Sequence, residues 1–487
     1  MRRSFDLEPN LDILPIEQIK LPVESRDELP PILAGLQWIW THPTLKADIF
    51  RRLEKVILAD RRRTGRQGMD LWQILVLGTV RLGLDADWDR MEHIANYDLL
   101  LRQMLGVNLG GGLFPKKCFN RRTLRDNVAL LDESLLEQIN GLIAQAGREP
   151  FQPKKGPQPM VLRVDSYVLE TDVHFPTDLN LLWDSGRKCL EAISGFVERG
   201  VKLEGWRKLA FWRKQLKSEE RTASKASSGG GKNKEQRVKD QVREYLNTAR
   251  EISVKVKASR RALASQCSEM SDIIGLTSLD YYERMLDKHI DLVDRRVLRG
   301  EDIPVAEKLY SIFEPHTEWI NKGKSHPNVE LGHRVLVATD ENQLIHHYQG
   351  PSGVDVNESI PVVDSLLGRY GEGSIASVSF DKGFSRAEDK ELLELYIPVV
   401  VMPKRGKRTQ EQTQEERSKK FSSLRRAHSA VESAINALEH HGLDSCLDVG
   451  LEGFKRYVGF GVMAYNLHLI GRRLLDQQRE RQHRRAA

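Results

Sequence analysis

Val161-Leu-Arg-Val-Asp-Ser-Tyr-Val-Leu169 is a run of β-branched and aliphatic residues with a carboxylate, Asp165, near its centre. Such a run is typical of a buried strand. A carboxylate in a buried strand is costly unless it is paired or bound to a metal. We therefore expect partners for Asp165 further along the chain.

Two later stretches each offer an acid that could share a cation with Asp165. Ser377-Val-Ser-Phe-Asp381-Lys-Gly383 ends a second apolar strand in an acid followed by a glycine turn. Arg425-Arg-Ala-His-Ser-Ala-Val-Glu432 places a third acid on a predicted helix. The apolar stripe of that helix must be buried, which leaves Glu432 at the rim of the core. The stripe consists of Phe421, Leu424, Val431, Ile435 and Leu438.

Three acids on converging elements suit metal-dependent chemistry on phosphodiesters. In-line cleavage is helped by two divalent ions about 3.5–4 Å apart, which stabilise the attacking and the leaving oxygens. Mg²⁺ prefers carboxylate and water oxygens, and we expect Mn²⁺ to substitute for it. Asp165, Asp381 and Glu432 are therefore the predicted catalytic residues and the predicted ligands of two Mg²⁺ ions. The alternative is that each acid is an ordinary turn or surface residue.

The chain has 487 residues and a formal net charge of +6, so two to four domains are expected. Its basic residues are clustered, which favours a polyanion as partner, although a solvated surface is the better explanation of any single cluster taken alone. The clusters include Lys116-Lys117 and Arg484-Arg485. The residues predicted to contact DNA are Arg61, Arg62, Arg63, Lys404, Arg405 and Arg425.

Cysteine and hydropathy patterns exclude several classes. The four cysteines form no Cys-x-x-Cys pair, and no histidine spacing suits zinc, so neither a disulfide framework nor a structural metal site is indicated. The N-terminus lacks the apolar core of a signal peptide, and no run of about 18 apolar residues occurs. We expect a cytoplasmic protein without a membrane partner.

Alternating patterns divide the chain into an α/β core with helical additions. A Ser/Gly/Lys-rich stretch interrupts the long helical pattern that follows the Asp165 strand, which predicts two helices joined by a flexible tip. The predicted layout is a lead segment over 1–30, an all-α N-terminal domain assigned to DNA binding over 31–150, the α/β core over 151–186 and 303–475, an inserted helical hairpin over 187–302, and a basic tail over 476–487.

Several short motifs, taken in order, carry a resemblance to a known family. The chain resembles the DDE transposases of bacterial insertion sequences, close to the ISNCY group, over most of its length. Besides the Asp165-Ser pair, the motifs are His174-Phe-Pro-Thr-Asp178, Leu181-Leu-Trp-Asp184, Ser379-Phe-Asp-Lys-Gly-Phe384, Arg426-Ala-His-Ser-Ala-Val-Glu-Ser433, Gly442-Leu-Asp444 and Phe454-Lys-Arg-Tyr457.

The resemblance implies a fold and an activity. It implies an RNase H-like catalytic core in which Asp165, Asp381 and Glu432 form the catalytic triad. It further implies an enzyme that binds the terminal inverted repeats of its own element and cuts DNA. The enzyme would then join the freed end to target DNA, working as a homodimer or higher oligomer. The cofactor implied is Mg²⁺.

One position departs from the family pattern. Many related transposases carry a lysine where this chain has Glu439. The role of that lysine in positioning DNA is then expected to pass to Arg425, or to Lys404 and Arg405.

Two other functions remain open at this level. A catalytically silent DNA-binding protein, acting as a repressor or an architectural factor, would share the basic clusters, but the retained triad favours an enzyme. A structural factor organised by the helical hairpin would leave the three acids unexplained.

Overall fold

The structure is a computed structural model and describes residues 5, 13–59, 68–108, 118–152, 158–266, 270–321 and 328–486. It contains two compact units. The first comprises the described residues up to Asp172 and from Ile320 onward, and the second is Val173–Trp319. No described helix combines the length and the hydropathy that crossing a bilayer requires.

The N-terminal part of the first unit is helical. Polar N-cap residues mark where four of its helices begin. An aspartate or asparagine before a helix accepts a backbone N–H of the first turn. Asp87, Asp98, Asn120 and Asp132 do so. The helices are α1 (Leu29–Thr41), α2 (Pro43–Ile57), α3 (Leu71–Gly83), α4 (Trp88–Tyr97), α5 (Leu99–Met104), α6 (Arg121–Val128) and α7 (Glu133–Gly147).

The second unit contains four long helices within its described residues, where the sequence pattern predicts two. They are α8 (Asp178–Glu198), α9 (Leu209–Ser228), α10 (Lys234–Ala264) and α11 (Met270–Val293). Gly200 and Gly205, both at positive φ, interrupt the helical pattern between α8 and α9. The predicted cap of α8 is confirmed, because the Thr177 side chain accepts the backbone N–H of Asn180.

A mixed seven-stranded sheet in the described residues confirms the predicted α/β class. Its continuous path is β2-β3-β1-β5-β6, with β4 on β3 and β7 on β1. β3 runs antiparallel to β1 and β4, whereas β5 runs parallel to β1 and β6. The strands are β1 (Met160–Thr171), β2 (Glu318–Asn321), β3 (Val329–Thr339), β4 (Ile345–Gln349), β5 (Ile375–Phe380), β6 (Val400–Val401) and β7 (Ser445–Cys446).

Six described helices follow in the C-terminal part of the chain. They are α12 (Ser359–Tyr370), α13 (Ala387–Leu393), α14 (Gln410–Arg417), α15 (Lys419–Ala427), α16 (Ser429–Leu438) and α17 (Leu451–Ala486). The sequence pattern predicts one helix from Phe421 to His440. The structure divides it at His428, and a π-helical turn, Glu439–Leu443, follows α16.

Alternate residues of β1 serve two different cores, as the two-residue period of a strand requires. Leu162 and Val164 join the cluster that contains α12 and α13. Tyr167 and Leu169 join the larger cluster, to which α16, α17 and the N-terminal helices contribute. Asp165 belongs by its period to the second face, where α16 packs against β1.

Helices α1 and α17 cross closely at two glycines. A Cβ at Gly471 would overlap the carbonyl oxygen of Pro31, and a Cβ at Gly35 would overlap that of Leu467. Because both obstructions are backbone atoms, they cannot rotate away. The crossing therefore requires glycine at both positions.

We expect Gly471→Ala to destabilise the first unit by about 1–3 kcal/mol, because overpacking forces the two helix backbones apart. Thermal unfolding of the full chain, followed by circular dichroism, would measure the change as a lower Tm. Gly368→Ala is the matched control, since Gly368 lies in α12 with no neighbouring atom within 4 Å. The control should be neutral or stabilising by up to about 1 kcal/mol, and equal losses in both variants would refute the close-crossing explanation.

Candidate active site

Asp165 lies in the middle of the central strand of the sheet. It stands opposite Val337 of β3, and its Oδ1 atom accepts the backbone N–H of Ser166 at 2.8 Å. The residue is only partly buried, although Val164, Tyr167 and the opposite residue Val337 are buried core residues. The Asp165 carboxylate therefore lies at the boundary of the core and is partly accessible to solvent.

Asp381 is placed beside Asp165 by strand register. Val164 pairs with Phe380 in the parallel β1–β5 ladder, so the next residues of the two strands are Asp165 and Asp381. Asp381 keeps an extended backbone, with φ −72° and ψ 166°, and thus continues the strand by one residue. Adjacent strands lie about 4.8 Å apart, and residues in register point to the same face. The two acids are therefore neighbours, with Asp381 exposed.

Glu432 reaches the same region from α16. Val431, Ile435 and Leu438 of this helix are buried in the larger core, which fixes the helix against β1. Glu432 itself is exposed at the edge of that contact. Burial is the main cause of the raised pKa of Asp165, and the charge of Glu432 contributes to it.

A fourth acid, Asp355, was not predicted from the sequence. Its Oδ1 atom accepts the hydroxyl of Ser166 at 2.6 Å, in a short 3₁₀ turn, Asp355–Asn357, that precedes α12. A Cβ at Gly383 would lie 2.8 Å from Asp355 Oδ2, so a larger residue at 383 would displace this carboxylate. Because Gly383 has no side chain, Asp355 can occupy its position near Asp165.

The four acids influence one another electrostatically. Burial, followed by the charges of Asp381, Asp355 and Glu432, raises the pKa of Asp165 from 3.8 to about 7, against the opposing hydrogen bond from Ser166. Mutual repulsion of this kind is what a divalent cation relieves, and carboxylate oxygens are the ligands that Mg²⁺ prefers. The donor set therefore fits a magnesium centre.

The spacing of the acids bears on how many ions they could hold. Among the described residues, the one group of three acidic, histidine or cysteine ligand atoms lying within 4.8 Å of one another is Glu28, His441 and His468. The carboxylates around Asp165 are not gathered that closely. One ion could therefore be bound by three of these acids only after their side chains moved closer together.

His428 lies between the strands and the helix that carries Glu432. Its Nδ1 atom is 3.0 Å from the hydroxyl of Ser379, which also contacts the carbonyl of Leu162 at 3.3 Å. Both contacts are satisfied when the hydroxyl donates to the carbonyl and Nδ1–H donates to the hydroxyl. The buried Nε2 atom has no hydrogen-bond partner in the described residues. Burial lowers the pKa of His428, while the nearby charge of Asp381 opposes that effect.

The predicted DNA-contacting cations divide into two groups. Lys404, Arg405 and Arg425 lie in the segment between β6 and α16, where Arg405 and Arg425 are exposed. Glu416 neutralises part of this charge, because it pairs with Arg425 at 3.7 Å and accepts the backbone N–H of Lys404. The predicted contacts at Arg61, Arg62 and Arg63 fall outside the described residues.

Glu439, the departure from the family pattern, is half-buried in the turn after α16. Burial raises the pKa of Tyr167, and the negative charge of Glu439 raises it further. Tyr167 lies two residues after Asp165 on the same face of β1. The negative charge of Glu439 therefore acts on Tyr167, in the buried part of β1.

Comparisons with models of protein families, with curated proteins and with solved structures gave no match to this chain.

The raised pKa of Asp165 predicts a pH-dependent stability in metal-free buffer. The folded state holds this proton more tightly than the unfolded chain, so the stability due to the neutral acid is present near pH 4 and is lost as pH rises through about 7. Asp165→Asn cannot lose a proton. We expect the free energy of unfolding of the variant, relative to that of wild type, to increase by up to about 4 kcal/mol as the pH rises from 4 to 8.

Thermal or urea unfolding in EDTA across that pH range would measure the difference. Asp364→Asn serves as control, since Asp364 is an exposed aspartate of α12. If wild type, Asp165→Asn and the control shared one pH profile, the four acids would not be coupled as described.

Proposed function

We propose that this chain is a DDE-type transposase, in which Asp165, Asp381 and Glu432 hold divalent metal ions for DNA cleavage and strand transfer. The observation that carries the proposal is the register of the parallel β1–β5 pair, which sets Asp165 beside Asp381. A third acid arrives on the same face from a packed helix. The sequence resemblance to insertion-sequence transposases supports the same three residues.

The assignment to an RNase H-like core rests on the mixed sheet. β3 is antiparallel and β5 is parallel to the strand that carries the first acid, and β6 extends the sheet in the parallel direction. The acids then come, in chain order, from a strand, the end of a strand and a helix. An RNase H-like nuclease core supplies its three metal ligands in this order.

Each acid would have a different part in the chemistry. Two bound Mg²⁺ ions would activate the attacking water or 3′-hydroxyl and stabilise the leaving oxygen. Asp165, the least exposed acid of the triad, would hold the centre against the sheet. Asp381 and Glu432 are exposed and would bind from the open side, where a phosphodiester can approach.

Asp355 and His428 would support this centre without being part of the triad. Asp355 accepts the hydroxyl of Ser166, adjacent to Asp165, and adds a fourth negative charge. His428 precedes Glu432 by one helical turn and carries a free Nε2 lone pair in the tautomer described above. We assign it to holding a proton or a water near Asp381.

DNA binding would draw on Lys404, Arg405 and Arg425, which precede the Glu432 helix in the chain. Terminal inverted repeats, target DNA and a homodimer or higher oligomer are the partners that a transposase implies. The rival function, a silent DNA-binding protein, predicts the same binding without cutting. Activity in Mg²⁺ separates the two.

Asp165→Asn, Asp381→Asn and Glu432→Gln should each reduce cleavage by about 10³-fold or more, a loss of about 4 kcal/mol of transition-state stabilisation. Amides keep the shape of the side chain but lose the charge that holds the ions. A supercoiled plasmid carrying the DNA that flanks the coding region would be nicked in Mg²⁺ or Mn²⁺, and gel shift on the same DNA should show binding retained.

Asp364→Asn is again the matched control and should nick at the wild-type rate. Nicking at the wild-type rate by any of the three variants would remove that residue from the triad. Binding by wild type without any nicking in either metal would favour the silent DNA-binding protein.

Replacing Lys404, Arg405 and Arg425 together by alanine should weaken DNA binding in a salt-dependent way. Each lost phosphate contact lowers the slope of log affinity against log salt by about 0.9, so three contacts should lower it by about 2.7. The charge-matched control replaces Lys20, Arg26 and Lys308, which are exposed cations outside both this segment and the 31–150 region assigned to DNA binding. Equal slopes for the two triple variants would exclude this segment from the DNA contact.

A further inference from the structure

Three metal-ligating side chains meet in the helical part of the first unit, on residues that the proposed function does not use. Glu28 immediately precedes α1, His441 lies in the turn after α16, and His468 is on α17. One ligand atom from each lies within 4.8 Å of the other two. Residues 28, 441 and 468 are distant in sequence, so only the fold brings them together.

His441 is held in the tautomer that metal binding requires. Its Nδ1 atom is 3.1 Å from the backbone carbonyl oxygen of Gly83, and a carbonyl can only accept. Nδ1 therefore carries the proton, which leaves the Nε2 lone pair available. Metal-ligating histidines are commonly oriented in this way, by donating the other ring N–H to a backbone carbonyl or a carboxylate.

His468 and Glu28 supply the other two ligands. His468 Nε2 lies 2.7 Å from Glu28 Oε2, and the rings of His468 and His441 are 5.4 Å apart between centroids. In the metal-free protein His468 Nε2–H donates to the Glu28 carboxylate. A ligating imidazole nitrogen must lose its proton, so a bound metal ion would take the place of this shared proton.

We propose that Glu28, His441 and His468 bind one Zn²⁺ ion, or a similar borderline transition-metal ion, at a site separate from the carboxylate centre. Two imidazole nitrogens and one carboxylate oxygen are a zinc ligand set, with a fourth position left for water. Mg²⁺ prefers oxygen ligands alone and would not compete effectively. Glu28 is exposed, so an ion can reach the ligands from solvent.

The bound ion would stabilise the turn that follows α16, the helix that carries Glu432. His441 and Gly442 have non-helical backbone angles there, and Gly442 is at φ +87°. The hydroxyl of Tyr457 on α17 already donates to the Gly442 carbonyl at 2.9 Å. Zinc would link this turn to α17 and to the residue before α1 through metal–ligand bonds. Binding should therefore raise the Tm of the full chain by several degrees at saturating Zn²⁺.

Calorimetric titration of tag-free, chelator-treated full-length protein with ZnCl₂ tests the proposal. Wild type should bind Zn²⁺ at this site, and Co²⁺ substitution should give the visible absorption of a nitrogen- and oxygen-ligated ion. Glu28→Gln and His468→Gln should each weaken binding by about 100-fold or more, since loss of an outer partner alone costs 10–100-fold. Glu28 is exposed, so its variant keeps the proposal testable even if His468→Gln fails to fold.

Two control variants test whether Zn²⁺ binding is specific to Glu28, His441 and His468. His440→Ala removes an exposed histidine next to His441 and should leave Zn²⁺ affinity and the Tm increase unchanged. Asp165→Asn should also bind Zn²⁺ normally, which separates this site from the proposed catalytic centre. Equal Zn²⁺ affinity in wild type, Glu28→Gln and His468→Gln would overturn the proposal, as would the absence of binding by wild type.

Discussion

The parallel pairing of β1 with β5 is the constraint on which the carboxylate site depends. A shift of one residue in this pairing would turn Asp381 to the opposite face of the sheet from Asp165. The register is protected because Leu162 and Val164 on β1 and Val378 and Phe380 on β5 are buried in one core. A slip would expose these side chains, so hydrophobic burial enforces the approach of two like charges. Burial is the main cause of the raised pKa of Asp165, and the charge of Asp381 raises that pKa further.

The sequence predicted what depends on local pattern. An acid in an apolar run signals Asp165, and an acid at the end of such a run, followed by Lys-Gly, signals Asp381. The stripe of α16 placed Glu432 at the rim of the core, and its buried Val431 and Leu438 agree with that pattern. In each case the informative residues lie within about two turns or one strand of the acid itself.

Features that depend on distant contacts could not be predicted in this way. Asp355 sits in a short turn with no periodic pattern, and only its bond to Ser166 and the small size of Gly383 reveal its position. The helix is divided at His428, which contacts Ser379 on β5, and a helical sequence pattern does not contain such a contact. The zinc ligands illustrate the same limit, because the search for closely spaced cysteines and histidines misses residues that only α1, α16 and α17 bring together.

The two ends of α16 offer different ligand chemistry, and this affects how metal dependence should be interpreted. Glu432, in the first turn, belongs to a group of carboxylates, which favours Mg²⁺. His441, in the turn that follows, belongs to a pair of imidazoles with one carboxylate, which favours Zn²⁺. EDTA would remove both ions, so a loss of cutting after chelation would not identify the ion at the carboxylates. Restoring Mg²⁺ alone distinguishes a catalytic requirement at Asp165 from loosening of the turn that ends the Glu432 helix.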